Sequence, residues 1–430
     1  MHYKILFREN FKMKYAEYLQ KVWAERSEAL PLLDEEIKGT GMRRLWALAI
    51  YHFVNDGATV VFTATLPAIT MALGLTFYQV GIILSLGSIT YLILQLIFGY
   101  ISDRGFANGI IFIGFIGVVF SSVLFPFASL FAQILLAYML LRAFTSAYHP
   151  VGFASVSRIY TKCRTKAFGV QGVGEQVAMV TAPLFTGFVA EAYGWGAPFY
   201  VWATVGLVGL LFFLILFRGS RLNFGNGEVN APVEESTEPP KLRSYVIIAA
   251  SIALADGVYV LFMSYMPLYL TIAQGLRLST ATIIMALWFA AGIPVVASAG
   301  RIAKWFGGES RSLIVFFSLM TVLFLISNLL KSQTSWYASP LLYILLILSG
   351  TSVYICFTFQ LSMIGRLVSD RKRGVSYALT LNAGVGGGTI VSYVTGYLAS
   401  LLTISVVLPL LLLISAVGLI VAFTLNRMRR

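Results

Sequence analysis

Apolar stretches of about 18 residues or more recur from residue 45 to the end of the chain, each long enough to cross a hydrocarbon core of roughly 30 Å as a helix. No other feature limits the fold so tightly. A soluble domain carries about a quarter of its residues as charges. This chain of 430 residues is instead 58% hydrophobic and 11% charged, with a mean hydropathy of +0.82. A transmembrane barrel would show alternating segments of about ten residues, and none is present. The pattern predicts an all-α, polytopic membrane protein.

The predicted spans cover approximately residues 45–73, 77–101, 109–130, 132–158, 167–192, 196–218, 244–273, 278–303, 309–330, 337–366, 373–401 and 403–426, which makes twelve. Residues 1–44 are polar and charged and have no short apolar region with a cleavage site, so a cleaved signal peptide is not expected. Within them, "FKMKYAEYLQKVWAERSEAL" has helical propensity and mixed charge. It reads either as an amphipathic helix on the membrane surface or as a solvated cytoplasmic extension. Cys163 and Cys356 supply neither a disulfide framework nor a metal pattern.

A formal net charge of +13 invites a nucleic-acid reading, which the placement of the charges excludes. All but three of the 31 Lys and Arg lie in the N-terminal segment, in loops after even-numbered spans or in the C-terminal tail. Arg277 and Lys331 fall on the other side, and Arg142 lies within a span. This positive-inside asymmetry predicts a multi-pass protein of the cell membrane with both termini cytoplasmic. Its surroundings are the lipid bilayer, with no nucleic-acid partner.

Residues 219–243, "GSRLNFGNGEVNAPVEESTEPPKLR", form the long polar interruption expected of a cytoplasmic linker. They separate an N-terminal bundle, 45–218, from a C-terminal one, 244–426. The halves repeat each other. "NDGATVVFTATLPAI" at 55–69 aligns with "ADGVYVLFMSYMPLYL" at 255–270, matching Asp56 to Asp256, Gly57 to Gly257, Phe62 to Phe262 and Pro67 to Pro267. After one residue of slip, Gly74-Leu75 pairs with Gly275-Leu276 and Gly99 with Gly300. Arg158 pairs with Arg366. Such a duplication implies two six-helix bundles with a binding site between them.

At 99–105, "GYISDRG" resembles the loop between the second and third helices of the major facilitator superfamily. The resemblance implies the fold of that family, twelve helices in two pseudo-symmetric bundles. It also implies that Gly99, Asp103 and Arg104 form a conformational gate that latches the cytoplasmic ends. The usual basic tail is replaced by "FANG", and the equivalent "GRIAKWFGG" has Lys304 in place of the acid. "YMLLRAFTSAYHP" resembles an exporter motif with a buried arginine, Arg142 here. "AMVTAPLFTG" is similar to the glycine-proline motif of drug/proton antiporters, of which Pro183 and Gly187 survive. "HFVND", "AYHPVGFASVSR" and "AFGVQGVGEQVAMVTAPL" together resemble the fosmidomycin-resistance branch, whose activity is proton-driven export of a small drug. That likeness is close over roughly residues 50–190 and extends to the second half only by fold.

Six ionisable residues lie well inside the spans: His52, Asp56, Arg142, His149, Glu175 and Asp256. Each charge there costs at least about 2.5–3.5 kcal/mol, so such residues face a cavity and carry function. Helical rise puts His52, His149 and Glu175 roughly 12–14 Å and Asp56 and Asp256 roughly 18–20 Å from the basic ends. Arg142 and His149 are one heptad apart on a single predicted helix. Asp56, Glu175 and His149 are the candidate proton-coupling groups. His52, Asn55, Arg142 and Asp256 are the candidate substrate contacts. Glu175 has Arg142 or His149 as its expected partner. Asp56 has the alternative of a structural hydrogen bond, and Asp256 that of a gate or packing residue. "LNAGVGGGTI" follows no strand and lacks a Lys-Ser/Thr ending, so it is no phosphate loop.

Nothing in the sequence forms a nucleotide-binding, metal-ligand or catalytic-triad pattern. The expectation is a transporter and not an enzyme, monomeric, with no cofactor, moving a small molecule and protons. Proton-coupled export of a drug-like or anionic compound leads. Proton-coupled uptake of an organic anion or nutrient is the near alternative, and a transporter-like receptor or lipid flippase the distant one.

Overall fold

Polar caps and glycines decide where the helices start and stop. Thr76 Oγ1 accepts the Gln79 N–H at 3.2 Å while Gln79 Oε1 accepts the Thr76 N–H at 2.9 Å, a reciprocal box that opens a helix at Phe77. Gly74 and Gly275, the repeat mates, both take positive φ (60° and 66°) just past a helix end, where a side chain would be strained.

The computed structural model describes residues 40–160, 164–218, 242–331, 338–367 and 373–428. Residues 1–39 of the predicted N-terminal extension and 219–241 of the predicted linker lie outside the described residues. The helices are α1 (Thr40–Leu73), α2 (Phe77–Ile101), α3 (Ala107–Leu124), α4 (Phe131–Thr145), α5 (Tyr148–Ile159), α6 (Arg164–Tyr193) and α7 (Ala197–Phe217). There follow α8 (Leu242–Val260), α9 (Met266–Leu268), α10 (Leu278–Ala297), α11 (Ala299–Trp305), α12 (Glu309–Leu330), α13 (Ala338–Leu367), α14 (Arg373–Leu401) and α15 (Val407–Met428). No strand occurs among the described residues.

Among the described residues, ten helical segments are long and apolar enough to cross a membrane, against twelve expected spans. One such segment, Phe77–Phe127, joins two expected spans through the π-helical turn Ser102–Phe106, where Gly105 leaves helical geometry at φ 94°. The other difference is α14, whose glycines, Ser, Thr and Asn dilute its apolar content.

Two expected spans are interrupted. The predicted helix 132–158 stops at Thr145 and restarts at Tyr148. Pro150 has no N–H to offer the Ser146 carbonyl, and its ring crowds that carbonyl, so the ladder breaks one turn earlier. Arg142 and His149 therefore do not share one continuous helix, as their heptad spacing suggested. The predicted helix 278–303 breaks at Ser298, between α10 and α11.

Burial builds two groups of helices. In one, α1 packs on α6 and α7, and α4 on α2 and α3; in the other, α8 packs on α14 and α15, and α12 on α13 and α15. The groups meet through α2 against α14 and α6 against α10. Gly81 of α2 and Gly396 of α14 allow backbone contact, since a Cβ on Gly81 would stand 3.0 Å from the Gly396 Cα. A Cβ on Gly187 would overlap Thr282 Oγ1 of α10. The Tyr78 N–H donates to Ser400 Oγ at 2.6 Å, and Glu191 accepts from Arg277, the Ser279 N–H and the Ser279 hydroxyl at 2.8, 2.8 and 3.0 Å. These contacts lie at the end bearing the Gly74, Gly194 and Gly275 turns, opposite the basic loops.

Candidate functional site

Helix α1 carries His52, Asn55 and Asp56 on one face because residues three and four apart are neighbours on a helix. Glycine then brings α6 onto it. A Cβ on Gly174 would overlap the Ala49 carbonyl oxygen, so the bare backbone lets Glu175 reach the same face. Trp202 of α7 braces the far side: its Nε1–H donates to the Val54 carbonyl at 3.1 Å, and its ring fills the place a side chain at residue 57 would take.

Asp56 is the hub. Its Oδ1 accepts the Asn55 amide at 2.8 Å. Its Oδ2 lies 3.0 Å from His52 Nε2 and 3.6 Å from His149 Nε2, the latter brought in by α5. Glu175 Oε2 stands 3.8 Å from His52 Nε2, so its ion partner is His52 and not the expected Arg142 or His149. The imidazoles are held from behind. His52 Nδ1 donates to the Gln171 carbonyl at 3.3 Å, and His149 Nδ1 shares a hydrogen bond with the Tyr91 hydroxyl at 3.1 Å. Tyr148 packs 4.6 Å from the His52 ring, and its hydroxyl takes the Gln171 side-chain amide at 2.8 Å.

Arg142 turns elsewhere. Its guanidinium sits 4.2 Å over the Tyr91 ring and reaches Thr59 Oγ1 at 3.4 Å. It has no carboxylate within ion-pair distance among the described residues, and its buried Nε has no hydrogen-bond partner. Asp256 of α8 faces it across the boundary between the groups, with Gly384 and Gly388 of α14 beneath the carboxylate.

Asn55, Asp56, Arg142, His149, Glu175 and Asp256 line one cavity of about 200 Å³, together with Tyr91, Tyr138, Met179 and Tyr259. His52 does not line it; 1% exposed, it backs Asp56 from behind. The cavity volume is less than the roughly 300–1,000 Å³ of drug-sized sites. Of the expected gate, Arg104 folds back on its own helix. It lies 3.4 Å over the Tyr100 ring and donates to the Tyr100 carbonyl at 3.4 Å. Asp103 is exposed beside it in the π turn, and Gly99 abuts Pro150 of α5.

Spacing along the chain offered no metal-ligand set, but the fold brings three together. His52, Asp56 and His149 place ligand atoms within 4.8 Å of one another, across two helices some ninety residues apart in sequence. Sequence reading also passed over Tyr91, Gln171 and Glu191, which carry no mark in an apolar or terminal helical context.

With helices in two groups around a charged cavity, the molecule has the build of a secondary transporter. The family model of the Major Facilitator Superfamily matches residues 48–390, and the chain belongs to that superfamily. It is a multi-pass membrane transporter and not an enzyme. The fosmidomycin resistance protein of Escherichia coli (strain K12) is 27% identical over 212 residues, 49% of this chain and 51% of that one. The uncharacterized MFS-type transporter YfnC of Bacillus subtilis (strain 168) is 25% identical over 202 residues, 45% of this chain and 48% of that one. The chain thus matches about half the length of these curated relatives. A bacterial homolog of the human lysosomal transporter Spinster, inward-facing and occupied, superposes with a TM-score of 0.69 at 17% identity. That match covers 89% of this chain and 96% of the other, and at such identity it shows the fold alone.

Proposed function

We infer that the chain exports a small drug-like or anionic compound in exchange for protons, by alternating access between its two bundles in the cell membrane. The observation that carries this reading is the concentration of Asp56, His149 and Glu175 on one wall of the cavity, with His52 behind Asp56, beside an arginine that has no acidic partner among the described residues. Membrane-buried charges of that number are costly unless they move ions or hold substrate. Asp56 is the coupling carboxylate, and His149 and Glu175, which reach the cavity, pass protons to and from it. Arg142 holds an anionic group of the substrate, for which a planar, permanently charged fork is suited. Asp256 and Asn55 contact the cargo from either side. Proton and cargo must bind the two states with different affinity, since a ligand shifts only what it binds differentially.

The excess of basic residues at one end supports a cytoplasmic placing of that end and of both termini. The contacts between Glu191 and the start of α10 then close the outer side, and Gly99, Asp103 and Arg104 form the gate on the inner side. The relative named for fosmidomycin resistance supports the direction, since removal of a drug from the cell is one way to resist it.

A thermal-shift panel of antibiotics, phosphonates and carboxylates identifies a ligand, which is then followed in inside-out vesicles. Export by antiport predicts accumulation when the lumen is acidic. Uptake by symport predicts accumulation only when the gradient is reversed. Asp56→Asn should abolish gradient-driven transport and leave ligand exchange measurable. Full gradient-driven transport by that variant sinks the assignment.

A further inference from the structure

We propose that His52, Asp56 and His149 form a binding site for a divalent first-row transition ion of the zinc class, with Glu175 completing its shell. Two of the chain's three histidines converge on one carboxylate oxygen. Bonds of roughly 2.0–2.2 Å in a tetrahedral shell set neighbouring donors about 3.3–3.6 Å apart. Asp56 Oδ2 lies 3.0 Å from one imidazole nitrogen and 3.6 Å from the other, and all three donors fall within 4.8 Å of one another. Glu175 Oε2 lies 3.8 Å from His52 Nε2 on a side chain that is 32% exposed and lines the cavity, within a rotamer change of the same point.

Three further features fit a metal and not merely a cluster of charges. First, each ring is fixed through Nδ1, by the Gln171 carbonyl and by the Tyr91 hydroxyl, so both Nε2 atoms point inward. Metal-binding histidines are held in this way, by an outer partner on the other nitrogen. Second, the carboxylate is divided: Oδ1 is taken by Asn55, and Oδ2 alone faces the rings. Third, His52 Nε2 meets that oxygen off the line of a hydrogen bond and is left a buried nitrogen without a hydrogen-bond partner. One carboxylate oxygen and two imidazole nitrogens within 4.8 Å of one another are a set of donors that one cation can share.

The donor set chooses the ion. Imidazole nitrogen with carboxylate oxygen and no thiolate favours Zn²⁺, Co²⁺ or Ni²⁺ over Cu⁺. Ca²⁺ and Mg²⁺ want an all-oxygen shell. Two carboxylates balance the ion's charge. His149, Asp56 and Glu175 border the cavity and give it a way in, while His52 forms the floor. Every donor belongs to the first group of helices, so the site needs no closure between the groups. It also stands apart from the coupling reading: transport could survive Asp56→Asn while zinc binding at these residues is still observed in the unaltered chain.

The test is a calorimetric titration of the full, tag-free chain carrying Cys163→Ser, in detergent, with zinc chloride. One ion per chain is expected. His52→Gln and His149→Gln should each weaken binding by well over about tenfold, and Tyr91→Phe, which loses only the outer partner, by about tenfold. Cobalt should show the intensified visible absorption of a non-octahedral ion, lost in His149→Gln. His149 is 22% exposed, so its variant keeps the test decisive if His52→Gln does not fold. Unchanged zinc affinity in folded His149→Gln, or no saturable binding of either ion, overturns the proposal.

Discussion

Tyr91 shows how one side chain sets the roles of two others. Its hydroxyl holds His149 toward Asp56, while its ring carries the Arg142 guanidinium at 4.2 Å. A guanidinium stacks flat on a ring, whereas an ammonium of the same charge does not. Such a contact is worth about 1–2 kcal/mol when desolvated, close to a factor of ten in affinity. Arg142→Lys should therefore weaken ligand binding about tenfold at unchanged melting temperature, measured by titration of the ligand found in the thermal-shift panel; unaltered affinity would mean that charge alone matters. At this scale the sequence revealed the acids, the buried arginine and the histidines, because each is costly in lipid. It hid Tyr91 and Gln171. The chain has 22 tyrosines, and nothing in sequence separates one that orients a histidine from one that fills space. Partnerships hid as well: Glu175 chose His52 because Gly174 lets α6 sink onto α1 there, and close approach is a property of folded backbones.

A packing glycine makes the same point with a measurable cost. A Cβ at Gly57 would run into the Trp202 ring, which is itself tied to the Val54 carbonyl. Overfilling of this kind costs about 1–3 kcal/mol. Gly57→Ala should lower the melting temperature, and a second change, Trp202→Phe, should restore part of it. Equal melting of Gly57→Ala and the parent chain would contradict the packing described.

At the scale of the helix, the interruptions are what position the site. Pro150 ends the ladder between α4 and α5, and this break sends Arg142 to Tyr91 and His149 to Asp56. A proline within a helix costs about 3 kcal/mol. Pro150→Ala should then raise thermal stability while it lowers transport, because a continuous helix no longer delivers His149. A rise in both would show that the break has no role in the site. The repeat carries a related signature. Aligning Asp56 with Asp256 required one residue of slip before Gly74 matched Gly275. The second copy takes up that residue in the π-helical turn Tyr269–Ala273, which lies between Pro267, still in register with Pro67, and Gly275. One inserted residue is what a π turn accommodates. The slip was therefore legible as a number before its cause was visible. Helix existence was legible from apolar runs, but breaks at Ser146 and Ser298 were not, because periodicity continues across them.

At the scale of the whole molecule, one carboxylate joins the two groups of helices at the end away from the basic loops. Arg277 gives no side-chain cap to α10, so the Ser279 N–H lacks a partner within its own helix. Glu191 of α6 supplies it, accepting that N–H at 2.8 Å, the Ser279 hydroxyl at 3.0 Å and Arg277 at 2.8 Å. Arg277 is 79% exposed, so the ion pair contributes about 0–1 kcal/mol. The cap contributes about 1 kcal/mol more. Any state that opens this end must break all three contacts at once, for a cost of about 1–2 kcal/mol, which changes a population ratio by about 5–30-fold. Spin labels at Thr76→Cys and Leu402→Cys, both exposed at this end, report the separation of α2 from α14. Glu191→Ala should shift the ratio of near to far distances toward far by about that factor, and Arg277→Ala by less, because it leaves the cap in place. Equal shifts in the two variants would locate the latch in the ion pair instead, and unchanged distances in both would leave the glycine contacts of Gly81, Gly187 and Gly396 as what holds this end closed.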